Sequence, residues 1–343
     1  MYVHPATLRD PTLGPAATPI AFIRAIVLAH RRYGSDPANA LAQARIPPDA
    51  LEDPTARVTA AQMEIMSGVS MHDLDDEALA WFSRRLPWGS YGMLCRASIT
   101  APDLGTALKR WCRHHGLLTR DIVLSLAEAD GLASLDITIH RPLGELHEFC
   151  LVSILRMSLG YACWAVDSRI GLTEARFPFP EPPHADVYPL MFAGPIRFDA
   201  TRAGVSFDAR YLALPLRRDE DALDRMLQRA LPLTVLQYRR DRLLVERVRQ
   251  LLRARPEAAS TAEDVAAQLH VSARTLHRQL QEEGASLQSL KDEARRDRAL
   301  HLLQRSARPL KQIAAEVGFR NEKSFARAFK AWTGTSPGSI RGR

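Results

Sequence analysis

Along most of this chain apolar residues recur with a period near 3.6, and in one central stretch they alternate instead. Ile20 to Tyr33 puts Ile23, Ile26, Val27 and His30 on one face, which predicts a helix. Asp36 to Ala44 predicts a shorter one, ended before Pro47 and Pro48. Thr59 to Asp73 predicts a third, with Met63, Met66 and Val69 inward, and Asp103 to His115 a fourth. Ile122 to Leu126 and Leu132 to His140 alternate about Asp130-Gly131, the pattern of a β-hairpin. Leu146 to Val166 reads as one long apolar helix. Leu172 to Phe177, Pro195 to Phe198 and Ala203 to Phe207 read as strands, and Asp219 to Ala230 as a helix stopped by Pro232. Residues 1–18, rich in Pro, Thr and Ala, read as a loose leader.

The last hundred residues are helical and carry one pattern twice. In the later copy Ile313, Ala314 and Val317 share a helical face, and Gly318 permits a left-handed turn that a Cβ resists. Asn321 caps a second helix in which Phe325, Phe329 and Trp332 face inward, and Gly334 and Pro337 stop it. The earlier copy opens on a capping box of Ser260 and Glu263, then Val265, Ala266 and Leu269. His270 stands in the place of Gly318, a residue type that tolerates positive φ better than most. Ser272 caps the next helix, with Leu276 and Leu280 inward. Two short helices about a tight turn form a helix-turn-helix, whose second helix fits the major groove. Ser272 and Asn321 stand 49 positions apart. The helix between them, Leu287 to Gln304, is about 27 Å long at 1.5 Å per residue. That is near the ~34 Å between successive major-groove faces, so a rigid spacer could present both helices to one side of a duplex. A helix from Val235 to Arg253, with Leu244 and Val248 inward, leads into the first copy.

On these residues the chain resembles the double helix-turn-helix DNA-binding domain of the AraC/XylS family of bacterial transcription regulators. The carrying positions are Ser272-Ala-Arg-Thr-Leu, Ile313-Ala, Gly318-Phe319, Phe325, Ala328-Phe329-Lys330, Gly334 and Ser336-Pro337. His270 at the turn, and Ile340 where relatives usually have an aromatic, depart from the pattern. The helical opening, with RYGSDPANALAQARIPPDAL and LPWGSYGML, is similar to the sensor domain of one subgroup, that of ornithine-utilisation-type regulators. That sensor is called arabinose-binding-like, a label that does not fix the ligand. The resemblance implies double-stranded DNA and RNA polymerase as partners, and with the two recognition helices it leads us to expect a homodimer.

The expected architecture is an α+β sensor domain with a small antiparallel sheet, residues 1–232, then an all-α double helix-turn-helix domain, residues 233–343. Charge follows the division. From Arg240 onward there are 21 Lys+Arg against 12 Asp+Glu, so the whole positive excess of the chain, +7, lies in the last third. Basic residues there are interleaved with Glu and apolar positions, as for phosphate binding rather than a polybasic membrane tail. Four cysteines without CxxC spacing read as reduced core thiols of a cytoplasmic, nucleoid-associated protein. No signal peptide is expected, since Arg9 and Asp10 precede any apolar run. Phe149 to Val166 holds Arg156 as its single charge over 18 residues, but lacks basic flanks and reads as a buried core helix.

The expected DNA contacts are Ser272, Arg274, Thr275, His277 and Arg278 on the first recognition helix. On the second they are Asn321, Glu322, Lys323, Ser324 and Arg327, with Lys330 on the same outward face. No HExxH, GxSxG, Walker A or strand-borne GxGxxG is present, so no enzymatic activity, metal or cofactor is expected. His114 and His115 point about 100° apart on a helix and cannot chelate together, which leaves surface or satisfied core positions. The acidic run Asp73, Asp75, Asp76, Glu77 reads as a solvated loop or helix end. A small-molecule effector of unknown identity is expected to border the helix Leu146–Val166, where Arg156 faces either an acidic ligand group or a buried carboxylate of the protein. Trp88 and Tyr91, in a segment read as a loop, and Trp164 are further wall candidates. The alternative is a ligand-independent regulator whose first domain only oligomerises.

Overall fold

The N-terminal arm is not loose throughout. A computed structural model of the chain describes residues 10–228, 230, 243–254, 261–282, 285–306 and 308–341. Within it β1 (Ala16–Pro19) pairs antiparallel with β2 (Arg57–Thr59). The leader expectation fails there because an extended Pro-bearing segment at an edge needs few hydrogen bonds of its own, and β2 supplies them. The Thr59 hydroxyl also reaches back to the Pro11 carbonyl while forming a capping box with Gln62. Two compact units divide the chain, Met1–Arg239 and Arg240–Arg343. The junction expected at 232/233 and the start of the helix expected from Val235 lie outside the described residues.

In the first unit α1 (Ile20–Arg32), α2 (Ala38–Gln43) and α3 (Ala60–Asp73) follow the predicted faces, and Ile23, Ile26, Met66 and Val69 are buried. One element was read wrongly. The Trp88–Gly92 segment is not all loop, because α4 (Ser90–Ile99) starts at Ser90 with Gly89 in left-handed conformation before it. The acidic run explains that start: Asp73 ends α3 and Asp75 is exposed, as a helix end and solvated loop would have it, but Asp76 and Glu77 are not solvated. Asp76 is fully buried and accepts from the backbone N–H of Ala78, Ala80 and Leu86 at 2.8–3.0 Å and from the Tyr33 hydroxyl at 2.7 Å. Glu77 accepts from the N–H of Gly89 and Tyr91, at 2.7 and 2.6 Å, at the open N-terminus of α4. A carboxylate there satisfies orphan donors and meets the positive end of the helix dipole.

Helix α5 (Leu104–Leu118) leads into the hairpin β3 (Ile122–Ala129) and β4 (Leu132–Ile139), and α6 (His147–Val166) follows. The remaining elements are β5 (Leu172–Arg176), the short α7 (Tyr188–Met191), β6 (Ile196–Arg197), β7 (Ala203–Asp208) and α8 (Glu220–Leu227). The sheet order is β3-β4-β7-β5-β6, antiparallel except for the parallel β5–β6 pair, which departs from a purely antiparallel expectation. Ala133, Leu135 and Ile137 of β4 and Val205 and Phe207 of β7 point into the core. On the other face Arg176 bonds Asp136 and Ser206, both at 2.6 Å, across β7. Gly204 leaves room for this pair, since a Cβ there would fall 2.1 Å from the Asp136 carboxylate. Helix α6 packs against α5 and β7. It is the one described helix long and apolar enough to cross a membrane, and it is buried inside this unit.

The second unit is entirely helical among its described residues: α9 (Leu243–Ala254), α10 (Ala262–Gln268), α11 (Ala273–Glu282), α12 (Leu287–Arg305), α13 (Leu310–Glu316), α14 (Glu322–Thr333) and α15 (Pro337–Arg341). It holds two cores. Leu244, Val248, Val265, Leu276, Leu280, Leu287 and Leu290 close the first. Ala299, Leu302, Leu303, Ile313, Val317, Phe325 and Phe329 close the second, with Trp332 and Ile340 packed on it. Helix α12 thus gives its first half to one core and its second half to the other, which makes it the shared strut of both. The first capping box forms one residue later than expected. Thr261 and Asp264 exchange the two bonds, at 3.1 and 2.9 Å. An Asp at the third helical position serves there as the expected Glu would.

Candidate nucleic-acid interface and cavity

Each recognition helix is set by its turn and its cap. His270 sits at φ 58° and Gly318 at φ 85°, so the two turns share a left-handed residue despite their different side chains. After each turn a polar side chain caps the helix. Ser272 Oγ accepts from the Thr275 N–H at 3.1 Å, and Asn321 Oδ1 from the Ser324 N–H at 2.8 Å. The hydroxyls of Thr275 and Ser324 are also held locally, on Ser272 Oγ and the Asn321 carbonyl. Four of the ten expected contacts are therefore committed to building the helix starts, and they can meet DNA chiefly through their exposed surface and nearby N–H groups.

The remaining expected residues point outward. Arg274, His277 and Arg278 are exposed on α11, and Glu322, Lys323 and Arg327 on α14, with Lys330 one turn on. Leu276 and Leu280 on α11, and Phe325 and Phe329 on α14, are wholly buried, which fixes the outward direction of their neighbours. Elsewhere in this unit several arginines are matched with acids, among them Arg249 with Glu293 at 2.9 Å, and Arg298 and Arg308 both on Glu316. Among the described residues no ion pair holds Arg274, Lys323, Arg327 or Lys330. The guanidiniums of Arg249, Arg298 and Arg308 are paired, while those of Arg274 and Arg327 keep their charge available.

In the first unit the sequence candidates disperse. Arg156 is 3% exposed on α6, and its Nη1 donates to the Met191 carbonyl at 2.6 Å beneath the Phe192 ring. Burial draws its pKa down to about 10, still charged at neutral pH. It borders a cavity of about 170 Å³ walled by Phe22 of α1, Met63 of α3, residues of β1, and Leu190 and Met191. Phe149, Val152, Ser153 and Arg156 line it from α6. Their spacing of 3, 4 and 7 is one helical stripe, the signal by which sequence could have found that wall. Phe22, Met63 and the β1 residues were missed, because nothing local ties them to α6.

Trp88, Tyr91 and Trp164 do not join Arg156. Trp88 is half exposed and edge-on to His72. Trp164 is buried near Tyr161, with the Arg218 guanidinium over its ring. Tyr91 borders a separate space of about 20 Å³ on another face of α6, with Trp111, His115 and Ser158. That is room for about one water. His115 is 2% exposed with neither ring nitrogen bonded to protein, so it is neither a surface nor a satisfied core histidine, and burial lowers its pKa to about 4. Cys95, Cys150 and Cys163 are buried free thiols and Cys112 is partly buried.

Residues 34–216 match the arabinose-binding domain of AraC transcription regulator, N-terminal, and residues 265–343 match a helix-turn-helix domain. The chain is 28% identical to the ornithine utilization regulator of Pseudomonas aeruginosa over 324 residues, 94% of this chain and 96% of that one. It is 31% identical to the HTH-type transcriptional regulator VirS of Mycobacterium tuberculosis over 147 residues, 43% of each. Among solved structures, the transcriptional regulator CdpR from Pseudomonas aeruginosa aligns with 90% of this chain and 96% of its own, at 21% identity and a TM-score of 0.34.

Proposed function

Because the chain belongs to the AraC family of transcription regulators, we propose that its two recognition helices read double-stranded DNA under the control of a small effector bound in the first unit. That it is a DNA-binding regulator follows from the family; the division of labour is our reading. One observation carries it. Two capped helices, braced by the single strut α12, carry outward Arg274 and His277 on one and Lys323 and Arg327 on the other, while bracing arginines are neutralised. Guanidinium pairs bidentately with guanine O6 and N7, and any exposed cation pairs with phosphate. The protein acts in the cytoplasm on promoter DNA, as a homodimer and in contact with RNA polymerase.

Control by an effector is favoured over pure oligomerisation by the cavity on α6, a largely apolar space open to solvent on one side, with the buried Arg156 on its wall. The name of the Pseudomonas relative raises ornithine as a candidate for that effector. Dimethyl sulfate footprinting of the full chain on its own promoter, which probes guanine N7 in the major groove, tests the DNA reading. Two protected major grooves about one helical turn apart per protomer are expected, and affinity falls with rising salt. Protection of a single groove per protomer would sink the two-helix reading. Sedimentation showing only single chains, free and on DNA, would remove the dimer.

A further inference from the structure

We propose that the cavity on α6 takes a small monocarboxylate with a ring-sized apolar body, and not a diamino acid. The inference rests on reading that cavity as the effector site. Its wall supplies Phe22, Met63, Phe149, Val152 and Leu190 to a hydrocarbon body, and Arg156 to an anionic end. Arg156 is held by the Met191 carbonyl, so its guanidinium is fixed in position rather than swinging, and a planar carboxylate matches the donor geometry of that group. Among the described residues of the wall there is no Asp or Glu. An ammonium group brought inside would find no carboxylate among them, and an unpaired cation beside Arg156 is strongly disfavoured. Glu148, at the start of the same helix, accepts from His184 Nε2 at 2.7 Å and from the Tyr188 hydroxyl at 2.6 Å, and does not border the space. Size narrows the class further. A cavity of about 150 Å³ holds benzene, so about 170 Å³ holds one ring or a short branched chain with its carboxylate.

Thermal shift and calorimetry on the full chain decide this, with benzoate, 3-methylbutanoate, benzamide and ornithine as probes. The two small carboxylates are expected to raise the melting temperature, and benzoate to bind at least tenfold tighter than benzamide. Ornithine is expected to give no shift. Ser153→Phe, which fills the space from α6, should abolish binding, and Arg156→Met should erase the preference for benzoate over benzamide. The wild-type comparison of those two probes needs no variant, so a poorly folding Arg156→Met leaves the test intact. Equal binding of benzamide and benzoate, or ornithine binding that Ser153→Phe removes, overturns the ligand class and leaves the cavity as a site. No binding by any probe, or binding that Ser153→Phe does not disturb, overturns the cavity reading itself.

Discussion

The two units bury different things. Among the described residues every buried polar or charged side chain belongs to the first unit, Gln62, Glu64, Asp76, His115 and Arg156 among them. The cores of the second are Leu, Val, Ile, Ala and Phe alone. A unit that reads a polymer keeps its polar groups outside, where the polymer is, and a dry apolar core holds them at fixed spacing. Polar groups brought inward cost stability unless something bonds them, and in the first unit Gln62 donates to the Ala44 carbonyl and Asp76 accepts from the Leu86 N–H. The contrast is between a unit whose described polar groups all lie at its surface and one that fixes part of its fold through bonded polar groups inside.

The largest effect should come from breaking the dry core. Phe329→Ala removes a wholly buried ring and is expected to cost about 3–5 kcal/mol, a large share of the stability of an ordinary domain. Hydrogen exchange of the full chain should show protection lost across residues 310–333 and kept in the first unit. A loss under about 1 kcal/mol would mean that this core is not close-packed.

Acid should separate the units next. Unfolded, His115 takes up a proton near pH 6.5; folded, it does so only near 4, because burial disfavours the charged ring. Between those values the unfolded state holds more protons, so stability is complete above about pH 6.5 and falls as pH drops. The drop approaches about 3 kcal/mol near pH 4. Burial shifts His30 and His147 the same way, and all three lie in the first unit. Exchange rates corrected for pH should therefore rise there first, and His115→Phe should flatten that dependence. Equal acid sensitivity of both units would remove the contrast.

The DNA face allows a finer test. Arg274→Ala is expected to relax preference at one base pair, worth roughly 1–3 kcal/mol of discrimination. Arg327→Ala, on a helix whose groove face also carries Glu322, should weaken all sequences alike and reduce the salt slope by about 1. Titration of single-base operator variants at two salt concentrations separates them, and uniform loss for Arg274→Ala would take base readout away from α11. Smallest of all, Ser272→Ala and Asn321→Ala each remove a helix cap and should cost about 1 kcal/mol in thermal denaturation. A cost below a few tenths would mean that water replaces the cap.

Much of the second unit could be read from local spacing. The inward stripes, the caps of Ser272 and Asn321, and the positive φ of His270 all depend on residues within one or two turns, and each stands where the pattern put it. The one slip, Ser260 for Thr261 as the cap, came from two neighbouring residues with the same capping chemistry. In the first unit most of the longer helices and the hairpin were legible for the same reason, but α4 was not. The use of Asp76 and Glu77 was not, because their partners, from Tyr33 to Tyr91, are reached only when the chain turns back on them.

Sequence alone therefore determined the two recognition helices, their direction outward and the positive charge that goes with them, since helix faces and caps are set by interactions between near neighbours. Only the tertiary structure decided that one stripe of α6 borders a cavity rather than a filled core. Whether a buried apolar face is met by side chains or by space depends on the volumes that β1, α1, α3 and α7 bring to it from distant parts of the chain, and no local pattern encodes that sum.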